Sequence, residues 1–162
     1  MHIVGLDPGL SGAIAVLALD GTLEGLGDTP TLTVQVQRGQ KQVHDCPGMV
    51  ALLQPYAGQP AHVLIEEAQP MPGQGVTSTF QIGKGYGLWL GILAALQLPY
   101  TTIRPAIWKK AFSLGKDKEA SRLRAMQLFP RADLRRKKDH GRAEALLLAY
   151  YGWRYVAARG RV

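Results

Sequence analysis

The chain opens with two short apolar runs, His2 to Leu6 and Gly12 to Leu19, separated by the turn-forming Asp7-Pro8-Gly9-Leu10-Ser11. This pairing constrains the fold more than any other feature, because runs of that length bounded by turn residues are strands. Asp20-Gly21 reads as a hairpin turn into a third strand, Thr22 to Gly27. The expectation is a three-stranded antiparallel meander with a carboxylate, Asp7, at the end of its first strand.

Thr29 to Gln42 is polar with a few β-branched residues and fits either an extra strand pair or a surface excursion. Asp45 can cap a helix from about Pro47 to Tyr56, ended by Gly58-Gln59-Pro60. Ala61 to Ile65 reads as a buried parallel strand running into Glu66-Glu67. After a Pro- and Gly-rich loop, Phe80, Gly83, Gly87, Leu90 and Ala94 recur at helical spacing, which predicts a long helix over about Val76 to Leu98. Tyr100 to Ile103 is a further strand, Pro105 to Phe112 and Lys118 to Phe129 are basic helices, and a last helix runs from His140 or Gly141 to Tyr150. The order β-β-β-α-β-α-β-α-α-α, with no repeat or linker, predicts an α/β fold with a five-stranded mixed sheet flanked by helices, in one domain over 1–162.

Charge divides the chain. Residues 1–103 carry three basic and seven acidic side chains, whereas residues 104–142 carry thirteen basic and four acidic ones. Such asymmetry suits a protein that meets a polyanion on one face and gathers carboxylates on another. A well-solvated basic surface is the plainer explanation. The single cysteine, Cys46, cannot form an intramolecular bridge, and the four histidines lack zinc-finger spacing. No export signal or membrane span is expected, so the chain reads as cytoplasmic.

Three acids stand where chemistry concentrates in such sheets. Asp7 and Glu66 end strands, and Glu144 lies in the first turns of the last helix. Hard divalent cations take carboxylate oxygens, and two ions about 4 Å apart can activate water and stabilise a leaving oxygen, with Asp7 the candidate bridge. Each acid also has an ordinary explanation: a turn former, a solvated strand end, a dipole-favoured helix acid. His140 and Glu144 share a helix face, whereas Asp139 and Glu144 diverge by about 140° on a regular helix. Asp139, at the cap, is the preferred fourth ligand, and His140 the alternative.

Ile3-Val4-Gly5-Leu6-Asp7-Pro8-Gly9 with Ser11-Gly12, Leu64-Ile65-Glu66, and Lys138-Asp139-His140-Gly141-Arg142-Ala143-Glu144-Ala145-Leu146 together resemble the RuvC-like Holliday junction resolvases, particularly the phage-type branch. The resemblance spans Ile3 to Tyr151. It implies a ribonuclease H-like fold, a homodimer, two Mg²⁺ or Mn²⁺ ions per site, and paired symmetric nicks in branched DNA. Asp7 and Glu66 match the first two metal ligands of that family, and Glu144 the last. The family's third acid falls on Gly141, so Asp139 or His140 must substitute. The lysines that touch the scissile phosphate in that family resemble Lys109 or Lys110 and Lys118.

Lys109, Lys110, Lys116, Lys118, Arg122, Arg124, Arg131, Arg135, Arg136, Lys137 and Lys138 can line a phosphate path, giving affinity that weakens with salt. Phe80 is a candidate wedge at a junction centre; packing in the core or at a dimer interface is the alternative. Trp89 and Trp108 read as core or interface residues, and the helix Val76 to Leu98 as the dimer face. An actin-like ATPase, which the Asp-Pro-Gly turn also suggests, needs two related domains and a longer chain, so no nucleotide cofactor is expected. A non-catalytic architectural protein and a nuclease acting on RNA–DNA hybrids are the competing readings.

Overall fold

The structure is a computed structural model in which residues 1–70, 72–115 and 117–156 are described. The expected meander is present as β1 (His2–Asp7), β2 (Ala13–Ala18) and β3 (Leu23–Asp28). Thr31–Val36 (β4) and Gly39–His44 (β5) pair only with each other, which decides the open segment for a strand pair rather than an irregular excursion. Helix α1 (Cys46–Leu53) starts where expected, with the Asp45 side chain accepting from the Gly48 N–H, and continues into a 3-10 turn over Gln54–Tyr56.

The parallel strand is β6 (Ala61–Glu66), followed by α2 (Val76–Ala95), β7 (Tyr100–Ile103), α3 (Pro105–Ala111), α4 (Lys118–Leu128) and α5 (His140–Tyr151), which ends in a π-helical turn over Gly152–Val156. α2 stops short of the expected Leu98. Gln97 adopts φ 53°, and Pro99 disfavours helical geometry at the residue before it, so the last turn cannot propagate.

β3, β2, β1, β6 and β7 form one mixed sheet in that spatial order, antiparallel on the meander side and parallel from β1 through β7. Alternation along the strands sends side chains to two cores. Val4, Leu6, Ile14, Val16, Val63 and Ile65 pack against α1 and α2 through Met49, Leu53, Trp89 and Leu93. Ala13, Ala15 and Leu17 face α5, with Trp108, Ala125 and Leu134 completing that layer. Leu146, Leu147 and Leu148 are all fully buried, each contributing roughly 1.5–3 kcal/mol relative to exposure. Helix α5 is thus buried almost all round. No helix among the described residues is long and apolar enough to cross a membrane.

Candidate active site

Strand periodicity decides which face carries the acids. Because Val4 and Leu6 of β1 point toward α1 and α2, Asp7 points toward α5; because Val63 and Ile65 of β6 do the same, Glu66 also points toward α5. β1 and β6 are parallel neighbours with Leu6 opposite Ile65, so Asp7 and Glu66 leave the sheet side by side at its carboxyl edge. Helix α5 lies directly on this face. A Cβ on Gly5 would stand 2.0 Å from the Ala145 carbonyl oxygen, so only glycine lets the helix backbone come so close. That contact carries Glu144 over the strand ends.

Asp7, Glu144 and His140 line a cavity of about 350 Å³, with Lys118 and Lys138 at its edge and Gly9, Gly12 and Gly141 in its wall. Asp7 Oδ1 accepts the Gly9 N–H at 3.1 Å, so Asp7 is both turn former and cavity acid. Burial pushes Asp7 up to about 6; Glu144 adds to the rise, while the Gly9 N–H, Lys118 and Lys109 oppose it. Burial pushes Glu66 up to about 7, with Glu144 and Asp7 adding to it. Three carboxylates therefore repel one another in a partly dehydrated place.

Two residues of α3 hold the inner pair. The Trp108 indole N–H donates to Glu66 Oε2 at 2.8 Å, and the Lys109 ammonium meets Glu144 Oε1 at 2.7 Å. Trp108 is in the core, as expected, but its bond to Glu66 is not something sequence reasoning found. A signal existed: β7 ends with Ile103 opposite Glu66, and Pro105 starts a helix whose first turn must pass the carboxylate.

The acidic oxygens suit a hard cation, which would relieve their repulsion, and beside them lies the His140 imidazole, a borderline donor whose Nδ1 is buried with no hydrogen-bond partner. Among the described residues no three His, Cys, Asp or Glu side chains already close around one metal position.

Asp139 lies elsewhere. Its carboxylate is buried and bound by Arg136, which donates its backbone N–H at 2.8 Å and its guanidinium at 2.7–2.8 Å. Burial alone would raise the Asp139 carboxyl, but the Arg136 bonds hold it below the usual range. Asp139 does not line the cavity, whereas His140 does.

The basic residues divide into two sets. Lys110, Lys118, Arg135, Lys137 and Lys138 are exposed. Arg122 is instead engaged internally, bonded to Glu119 and to the Leu134 carbonyl at 2.7 Å, and Arg136 joins Asp139 and Asp28. Arg142 ties Asp28 at the end of β3 to Asp133. Lys116 lies outside the described residues. Phe80 is 66% exposed, which removes the core reading within this chain. A second hollow of about 240 Å³, between the β4–β5 hairpin and α2, is lined by Lys41, His44, Gln81 and Ile82 among others and contains no acid.

Sheet order, the position of α5 and the carboxylates at the strand ends define a RuvC-type, ribonuclease H-like fold. Thermus thermophilus RuvC in complex with a Holliday junction substrate superimposes with a TM-score of 0.63 at 18% identity, covering 99% of this chain and 98% of that one. Another T. thermophilus RuvC structure gives 0.58 at 19% identity over the same shares. In sequence, the chain is 34% identical over 100 residues to a chloroplastic Holliday junction resolvase of Chlamydomonas reinhardtii, a match covering 59% of this chain. The chain spans only about a tenth of that relative, 11% of its length. No family model matches. The RuvC-like fold expected from the three sequence blocks is thus borne out.

Proposed function

We propose that this chain is a metal-dependent endodeoxyribonuclease that resolves Holliday junctions and related branched DNA by symmetric paired nicks. The observation that carries the reading is that Asp7 and Glu66 leave neighbouring strands side by side and both feel the charge of Glu144, while Asp7 and Glu144 line a cavity that also takes in Lys118 and Lys138. The likeness to junction resolvases in fold and sequence supports the choice of substrate.

Asp7, Glu66, Glu144 and His140 would hold two Mg²⁺ or Mn²⁺ ions. When bound, the ions supply Lewis-acid stabilisation of the phosphoryl oxygens and lower the pKa of an attacking water. Asp7, fixed by the Gly9 N–H, presents its remaining oxygen to the cavity. Lys118 and Lys138 meet the phosphate at the mouth, and Lys109 balances the Glu144 charge. The exposed Lys110, Arg135 and Lys137 extend the phosphate path.

A four-way junction has two equivalent scissile strands, which favours a homodimer with one site per chain. The outer side of α2 supports this. Around Gly83, Gly87 and Gly91 nothing lies within 4 Å of a built Cβ, leaving space for a second helix, with exposed Phe80 one turn away. The exposed aromatic then serves either as the wedge at the junction or as part of that interface.

The test is cleavage of a labelled four-way junction, a linear duplex and an RNA–DNA hybrid, with Mg²⁺ or EDTA, beside Asp7→Asn. Symmetric nicking of the junction, lost with EDTA and in the variant, is the expected result. Junction binding without cutting would replace the reading with an architectural protein, and preferential cutting of the hybrid with a ribonuclease H.

A further inference from the structure

We propose that Trp108 is a positioning residue for the acid cluster, its indole N–H fixing one oxygen of Glu66 so that the other stays turned to the metal-binding face. The inference rests on the reading of Asp7, Glu66 and Glu144 as metal ligands. Trp108 is fully buried, so its N–H has no water to fall back on, and its one acceptor is Glu66 Oε2 at 2.8 Å. Among the described residues no hydrogen bond reaches Glu66 Oε1. A glutamate at a strand end has three side-chain torsions to lose, and a fixed donor on a packed helix removes most of that freedom before any cation arrives.

The ring itself cannot drift. It packs edge-on to Phe112 at 6.4 Å between centroids, and the Lys109 ammonium sits 5.1 Å from its own centroid. Since Lys109 also binds Glu144, adjacent residues of one helix govern two acids that reach the site from β6 and α5. Trp89 provides the matched comparison. It is equally buried, in the opposite core, and its indole N–H has no partner, so Trp89→Phe repeats the loss of ring volume without touching a carboxylate.

The experiment is calorimetric titration of Mn²⁺ into wild type, Trp108→Phe and Trp89→Phe, with Tm and junction affinity in EDTA measured for each. Trp108→Phe is expected to weaken Mn²⁺ binding by about 10- to 100-fold, the usual cost of losing a partner that orients a ligand. The Mg²⁺ midpoint of cleavage should rise by the same factor, while junction affinity in EDTA stays at the wild-type value. Trp89→Phe should lower Tm and leave Mn²⁺ affinity unchanged. Wild-type Mn²⁺ affinity in Trp108→Phe, or equal weakening in both variants, overturns the proposal. A wild type that binds no Mn²⁺ overturns the metal reading, and this proposal with it. Should Trp108→Phe not fold, the wild type still answers: the Trp108 indole N–H resonance must move on Mg²⁺ titration and that of Trp89 must not, and a stationary Trp108 signal overturns the proposal.

Discussion

Gly141 and Ser11 are in backbone contact: a Cβ on Gly141 would lie 2.3 Å from the Ser11 carbonyl oxygen and 3.0 Å from the Gly12 Cα. The start of α5 is seated on the turn that carries Asp7, and no side chain fits between them. This gives a physical reason for glycine where RuvC-like resolvases carry their third acid. Gly141→Ala is expected to cost about 1–3 kcal/mol as an overpacked contact, lowering Tm by about 5 °C for a domain of this size. Gly141→Asp should abolish metal-dependent nicking, not strengthen it. A folded, more active Gly141→Asp protein would sink the steric account.

Metal-free protein should lose stability as pH rises. Asp7 is raised from 3.8 to about 6 and Glu66 from 4.5 to about 7, so the folded chain binds more protons than the unfolded one between about pH 4 and pH 7. Stability therefore falls with pH through that window, and the penalty is fully present above it. Thermal melts in EDTA should drop by on the order of 5 °C between pH 5 and pH 7.5, and Mg²⁺ at pH 7.5 should restore the loss. A melting temperature that rises over the same interval would contradict the charge crowding described for these acids.

Asp139 should behave as a structural residue. Asp139→Asn weakens the bonds from the Arg136 backbone N–H and guanidinium and should lower Tm. The Mg²⁺ concentration for half-maximal nicking should stay near the wild-type value. Asp7→Asn should instead lose more than about 100-fold in nicking rate, beyond what residues acting through a ligand usually cost. Parallel metal titrations of the two variants separate the roles, and an equal loss in both would return Asp139 to the ligand set.

The basic residues should separate in the same way. Alanine at Lys110, Arg135, Lys137 and Lys138 together should flatten the dependence of log junction affinity on log salt, by about 0.9 for each phosphate that is no longer neutralised. Arg122→Ala should lower Tm and leave that slope unchanged, because its guanidinium already serves Glu119 and the Leu134 carbonyl. Fluorescence anisotropy across a salt series measures both.

The fold was readable wherever burial imposes a period. β1, β2, β6 and α5 carry apolar runs whose length and spacing follow from the layers they join, and Asp7 and Glu66 were visible as the acids that end two of them. β4 and β5 were not decidable, because their residues are mostly exposed and no face alternates with core. The bonds between Asp139 and Arg136 were not legible, because Arg136 sits in an irregular loop where spacing says nothing about geometry. The pairing of Arg122 was open to reading from spacing. Glu119, three residues earlier on the same helix, was there to be paired with it.

The missing side chain at Gly5 has a mechanical consequence. Because α5 rests on β1 backbone to backbone, Asp7 and Glu144 belong to one stiff body, although 137 positions separate them in the chain. Glu66 shares that body through the pairing of β6 with β1, and its side chain alone is held separately, by a tryptophan on a short helix. Adjustment at the site therefore falls to side-chain torsions and not to movement of the strands and helix that carry the three acids.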